Sequence, residues 1–280
     1  MPLQALDFER IFASGARHEL PRGDVVTVRL RQDTSLWLPS GRVVADELLV
    51  LDDGDGGFIQ QAPPGQYPLV LVIAAFAKRS YLRAHEMVAA ARLVIRDEPV
   101  VSWEMAVYHG QDVSGLGDDE FFGYPVDGGT GGFIDAANIA PLREDSEYND
   151  RVMTALYGSE SGDTAAGTLT DGDGRPLVVV FSSGGGDGHY PTWVGRTAGG
   201  EVGCFLTDFF ILTDDKESKD ATVGGDGGRL PGNEAASAPD VARGPLSPVV
   251  TSPTGRTTAR PLSTAQHVTP FRTTVRRTVQ

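Results

Sequence analysis

Cysteine is almost absent from this chain. Cys204 stands alone among 280 residues, which rules out an internal disulfide, removes cysteine-based zinc sites and suits a reducing, cytosolic setting. No cationic neighbour in sequence would activate it, so it reads as a small packing hydrophobe. Long apolar runs are missing as well: nothing approaches the roughly 20 residues of a membrane-spanning helix, and the opening MPLQALDFERIF has no basic region followed by an apolar one, so neither a membrane span nor a signal peptide is expected. Positive charge is scarce where it matters. Residues 1 to 213 carry a net −16 and residues 214 to 280 a net +2, and so acidic a body repels phosphate backbones, excluding nucleic acid as a partner of the folded part. Catalytic signatures are missing too. There is no HExxH and no GxSxG, and Ser182 and Ser183 precede glycines without the preceding glycine of a nucleophile elbow. The glycine run at 127–132 lacks the lysine of a phosphate loop and does not satisfy GxGxxG.

What the chain does have is turn punctuation. It holds 35 glycines and Asp-Gly steps at Asp53, Asp55, Asp127, Asp171, Asp173 and Asp187, the marks of a turn-rich, mainly β protein. The stretch from Leu177 to Leu212 is the clearest. Leu177 to Phe181 is continuously apolar and β-branched, which suits a strand buried on both faces. Ser183 to Gly188 breaks it with three consecutive glycines and an Asp-Gly step. The runs His189 to Arg196 and Glu201 to Leu212 then form a hairpin across Ala198-Gly199-Gly200. With the turn centred at 198–199, Asp208 falls opposite His189 or Tyr190, on a face shared with Val202, Cys204, Leu206, Phe210 and Leu212. A carboxylate on an apolar face needs donors: His189, Tyr190, the loop amides of 184–188 or a metal.

Upstream, residues 1 to 20 can begin with a short helix, and Val25 to Leu30 alternates as a strand. Leu36 to Val50 reads as a hairpin around Pro39-Ser40-Gly41. Asp52 to Gly57 resembles the start of a calcium loop but has Pro64 where an EF-hand needs glutamate, so it reads as a solvated loop. Leu69 to Phe76 is a strand. His85 to Arg92 has helical propensity, yet Leu93 to Ile95 and Val100 to Tyr108 around the turn at 96–99 favour a β-hairpin with Trp103 and Met105 on one face. Asp135 can cap a short helix over 136–140 that Pro141 interrupts. A longer helix follows from Leu142 to Tyr157, with Tyr148, Val152 and Leu156 stacked, Glu144 and Asp145 in its first turn, and Gly158 at its end. The expected fold is a single mainly β domain over residues 1–213, an antiparallel sandwich or curved sheet with one or two helices. Residues 214–280, rich in Gly, Pro, Ser, Thr and Ala and purely basic after Asp240, are expected to be a disordered, dispensable tail.

Several of these motifs occur together and in order: Leu38-Pro39-Ser40-Gly41-Arg42-Val43-Val44-Ala45-Asp46, Pro64-Gly65-Gln66-Tyr67-Pro68, Asp119-Glu120-Phe121-Phe122-Gly123-Tyr124, Asp127-Gly128-Gly129-Thr130-Gly131, and the stretch Ser183 to Leu212. In these the chain resembles the uncharacterised bacterial family DUF4241 over about residues 20 to 212. The resemblance implies an intracellular bacterial protein, of actinobacterial type, and brings no activity or cofactor with it. Two departures from similar sequences stand out: Gly185 takes the place of an aromatic residue, and the tail is an addition.

The candidate binding or reactive site consists of Asp127, Gly128, Thr130, Asp135, Ser183, Asp187, His189, Tyr190, Trp193 and Asp208. One reading is a non-enzymatic binding or interaction module whose loops near 127–135 and 183–193 meet a protein or small-molecule partner, with Phe122, Tyr124, Tyr190 and Trp193 as anchors. The alternative is a metal-dependent or acid-base hydrolase using Asp127, Asp135, Asp187, His189 and Asp208. Each residue singly can also be structural. Convergence of those five side chains around a concavity would favour the enzyme.

Overall fold

Val25–Leu38 forms one strand of 14 residues, and an irregularity between Gln32 and Thr34 turns its alternation over. Before it, Val26 and Val28 point into an outer core; after it, Leu36 and Leu38 point into the inner one. A strand has a side-chain period of two, so one extra residue sends everything beyond it to the opposite face. A single strand thereby serves two cores.

The computed structural model describes residues 1–21, 23–49, 51, 56–77, 85–158, 164–212 and 274–276. In chain order its elements are α1 (Phe8–Ile11), β1 (Arg17–Glu19), β2 (Val25–Leu38), β3 (Val43–Asp46), β4 (Gly65–Phe76), β5 (His85–Val94), β6 (Ser102–Met105), β7 (Glu120–Phe122), β8 (Tyr124–Val126), β9 (Thr130–Asp135), α2 (Ala136–Arg143), α3 (Tyr148–Tyr157), β10 (Ala166–Thr170), β11 (Pro176–Ser182), β12 (Gly188–Tyr190), β13 (Thr192–Arg196), β14 (Val202–Asp208) and β15 (Thr274–Arg276). Seven strands make one antiparallel sheet in the order β1-β2-β4-β5-β14-β13-β6, and four make a second in the order β10-β11-β9-β3. The mainly β, antiparallel expectation holds. β12 pairs with β8, and β15 with β7.

Three apolar layers hold these elements together. The inner core lies between the sheets, where Leu69, Leu71, Leu93 and Phe205 of the large sheet meet Val43, Phe133, Val179 and Phe181 of the small one. On the far side of the large sheet, Phe8, Ile11 and Phe12 cover Val26, Val28, Val72 and Leu206. On the far side of the small sheet, Ile139 and Leu142 of α2 and Tyr148, Val152 and Leu156 of α3 cover Val178 and Val180. β11 is therefore buried on both faces, as its unbroken apolar run predicts. Trp103 and Met105 do share a face, in the outer core.

Several local expectations are corrected. Leu36 to Val50 is not a hairpin: β2 belongs to the large sheet and β3 to the small one, and the Pro39-Ser40-Gly41 turn carries the chain across. β5 runs as strand through His85–Val94 and is separated from β6 by β14 and β13. A turn signal at 96–99 cannot reveal that a hairpin a hundred residues downstream will wedge between the two strands it joins. α2 continues through Pro141 to Arg143; Pro141 stands in the last turn of this short helix, where its missing N–H forfeits one backbone bond, to the Ala137 carbonyl. The long helix is divided, because the Asp145 carboxylate accepts the Glu147 N–H at 2.9 Å and pairs with Arg151, fixing a turn before Tyr148. Of the segment Asp52 to Gly57, read as a solvated loop, residues 52–55 lie outside the described residues, as does the tail from 213 apart from Thr274–Arg276.

α3 lies directly on β10. A Cβ placed on Gly167 would stand 1.9 Å from the Ala155 carbonyl oxygen, so only glycine lets the helix approach this closely. Gly167→Ala should destabilise the fold by about 1–3 kcal/mol, the usual range for overpacking. Thermal denaturation should show the midpoint falling by roughly 2–4 °C per kcal/mol. An unchanged midpoint would mean that α3 does not rest on this strand.

Candidate functional site

Strand pairing sets two glycine loops side by side. β9 pairs with β11 so that Thr130 opposes Ser182, and β8 pairs with β12 so that Gly188 opposes Val126. The β8–β9 connection at 127–129 and the β11–β12 connection at 183–187 thus emerge together, tied by a hydrogen bond from the Ser183 N–H to the Gly129 carbonyl at 3.0 Å. Because Asp127 and Asp187 are the next positions after the Val126–Gly188 pair, the two carboxylates flank the same ladder. Both are exposed, and His189 beside them is half-buried.

The backbone of each loop is satisfied from within the protein. The Glu47 carboxylate, just past β3, accepts the N–H groups of Asp127 at 3.0 Å and Gly128 at 2.6 Å. A carboxylate of the chain itself sits where such a pair of amides would otherwise hold an anion. In the second loop, the Gly186 carbonyl accepts both the Ser183 hydroxyl at 2.8 Å and the Tyr190 hydroxyl at 2.9 Å. Gly184 has φ +64°, and a Cβ there would lie 2.3 Å from the Val88 carbonyl oxygen, so this glycine lets the loop lie on β5. Burial, with the Asp187 charge adding to it, pushes the Tyr190 phenol up. Burial also holds the Tyr124 phenol far above the ordinary tyrosine range. Both rings stay protonated and lie in the inner core, where the Tyr190 hydroxyl is the one bonded to the loop.

The remaining candidates lie elsewhere or inside. Asp135 stands at the opposite end of β9 from Thr130. It is fully buried, with its carboxylate accepting the Ser40 N–H at 3.0 Å, the Ser40 hydroxyl at 2.6 Å, the Gly41 N–H at 3.0 Å and the α2 Ala137 N–H at 2.8 Å. Trp193 is in the outer core, its ring centroid 6.0 Å from that of Phe8, and Phe122, Tyr124 and Tyr190 are buried as well. The four expected anchors are thus packing residues. Thr130 is buried and its hydroxyl has no hydrogen-bond partner among the described residues.

Asp208 departs from the expected register. Thr192 pairs with Thr207, and the Asp208 N–H reaches the Pro191 carbonyl at 3.2 Å, so its neighbour across the ladder is Pro191 and not His189 or Tyr190. The cause is the irregularity between Gly195 and Arg196, where Gly203 takes both the Ile95 and Arg96 N–H groups on its carbonyl; one bulged residue moves everything after it by one. The burial argument survives: Asp208 is 2% exposed and its carboxylate accepts the Phe210 N–H at 2.9 Å, helping to hold Phe210 at φ +57°. The five acid and histidine candidates therefore do not meet at one place. Among the described residues no three His, Cys, Asp or Glu side chains are placed to hold a metal ion together. The residue that the sequence reading missed is Glu47, which no motif or spacing links to a loop 80 positions later.

A family model described as protein of unknown function (DUF4241) matches residues 36–207. The chain belongs to the DUF4241 family. No curated protein matches it, and no solved structure does. The DUF4241 match runs from the inner-core half of β2 to Thr207. It includes Glu47, both glycine loops and Asp135, and leaves out α1, Asp208 and the tail.

Two outcomes test this assignment of roles. Asp135→Ala leaves four donors in and around a buried turn without an acceptor, and each buried unsatisfied group costs about 1–3 kcal/mol, so a loss of at least that size is expected in chemical denaturation. A variant as stable as wild type would remove Asp135 from its structural role. Burial pushes the Cys204 thiol up to about 11, so at about pH 8 it is both covered and protonated. Alkylation by iodoacetamide should require denaturant; rapid labelling of the native protein would contradict the packing of β14.

Proposed function

We propose that this protein is a non-enzymatic binding module, and that the end of the sandwich where the two glycine loops meet is its binding platform. The observation that carries this reading is the division of labour among the candidate residues. The buried ones, Ser183, Tyr190, Thr130 and Asp135, are packed or bonded within the fold, while Asp127, Gly128 and Asp187 face solvent on loops whose backbone is already satisfied. A rigid, acidic, solvent-facing pair beside His189 suits a cationic group on a protein or small-molecule partner. The hydrolase reading is weaker, because it needs Asp135 at the loops, and the Ser40, Gly41 and Ala137 donors hold that carboxylate at the other end of β9. No helix among the described residues is long and apolar enough to cross a membrane. The single cysteine and the family resemblance support a bacterial, cytoplasmic setting.

The test compares wild type with Asp127→Asn/Asp187→Asn in thermal-shift titrations against guanidinium compounds, polyamines and basic peptides. Both positions are exposed, so the double variant should keep its own midpoint. A ligand at 100 times its Kd adds about 2.7 kcal/mol of stability, and that shift should appear in wild type and vanish in the variant. Equal shifts in both proteins would place binding elsewhere. Turnover of ester or phosphoester substrates lost in the double variant would establish the hydrolase instead.

A further inference from the structure

β7 has its backbone occupied on one edge by the beginning of the chain. The Asp119 N–H donates to the Met1 carbonyl at 2.9 Å, and the Leu3 N–H donates to the Glu120 carbonyl at 2.9 Å. The Phe122 N–H points the same way, to the Met105 sulfur at 3.2 Å. Successive residues of a strand turn their backbone groups to opposite edges, so Phe121 keeps its N–H and C=O for the other edge. β15 lies there. Val275 is the register partner of Phe121, Thr274 that of Phe122 and Arg276 that of Glu120.

We propose that this outward edge of β7 is a strand-addition site for an extended basic segment, and that the chain's own Thr274–Arg276 is its occupant. An open strand edge invites pairing, and here the edge is rigid, because Phe121 and Phe122 are buried in the outer core. The charges match. Asp112, Asp118, Asp119 and Glu120 precede or form the edge, in a body of net −16, while the sequence has no acidic residue after Asp240 and carries Arg272, Arg276 and Arg277 within two positions of Thr274–Arg276. Opposite charges at directly opposed strand positions are favourable, and Arg276 opposes Glu120.

Tethering makes so short a strand sufficient. Residues 209–273 connect β14 to β15, and an intramolecular ligand on a connection of this kind has an effective concentration of up to about millimolar. Docking in cis therefore needs only weak intrinsic affinity, and a free peptide of the same chemistry can compete once the tethered strand is disabled. The family match ends at Thr207, so this occupant is an addition to the part shared with the family. β7 continues through Gly123 and β8 into the loop at Asp127, so a strand seated on it borders the platform without belonging to it.

The experiment uses the full chain and Val275→Pro, which lacks the N–H that a strand must offer to the Phe121 carbonyl. Hydrogen exchange at the Phe121 amide should be about tenfold or more faster in the variant, with β11 amides unchanged as the control for folding. A fluorescent peptide of residues 270–280 should bind Val275→Pro and not wild type, more weakly as salt is raised, and a scrambled peptide should bind neither. Equal exchange at Phe121 in both proteins overturns the proposal, as does a peptide that binds both alike or neither. Protection of Phe121 that disappears on dilution of wild type would assign the strand to a second copy and overturn docking in cis.

Discussion

The carboxylate of Asp135 is the point on which the architecture turns. It sits at the end of β9, caps α2, and gathers the donors of Ser40 and Gly41 at the place where the chain leaves the large sheet for the small one. Gly41 is the only residue type that fits there: its φ is +75°, and a Cβ would stand 1.9 Å from the Ala62 carbonyl oxygen. A sandwich needs its sheets held at one spacing and angle. Here one buried anion fixes the crossing, the helix that covers the small sheet, and the strand that carries the first glycine loop.

This explains which parts of the fold were legible in the sequence. β11 could be read because both its faces are buried, which leaves an unbroken apolar run; α3 could be read because its buried stripe recurs every four residues. The β13–β14 hairpin was visible through its glycine turn. What could not be read was connectivity. The signals at Pro39-Ser40-Gly41 and at 96–99 mark changes of direction correctly, but a turn and a crossing between sheets have the same local chemistry, and only the distant partners, Asp135 in one case and β13–β14 in the other, decide between them. The bulge at Gly203 is equally hidden. It moves Asp208 by one position, enough to change its neighbour from Tyr190 to Pro191.

The candidate site shows the same division. Glycine and aspartate in short loops correctly marked where the chain would expose backbone, and pairing of β9 with β11 brings both loops to one end. Their roles were decided by residues with no sequence signature. Glu47 supplies the anion that fills the first loop, and the hydroxyls of Ser183 and Tyr190 close the second. Between anchor and core, the two readings open to the aromatic residues, burial decides; Trp193, Tyr124 and Tyr190 contribute apolar area to the two cores of the large sheet.

Gly185 marks a place where the loop surface can be altered without altering the fold. Gly184 cannot take a side chain, since Val88 lies too close, and Gly186 has φ +97°. Gly185 between them is exposed, and a Cβ there meets only the Ile211 side chain at an ordinary 3.8 Å. A side chain at position 185 therefore has room, with Ile211 beneath it and Asp187 two positions away. With glycine there, the surface beside the exposed Asp187 stays open. A large aromatic group placed there would add apolar contact area at little cost in side-chain entropy, so this one position can change the balance of charge and apolar surface beside Asp187 while the strands beneath it stay as they are.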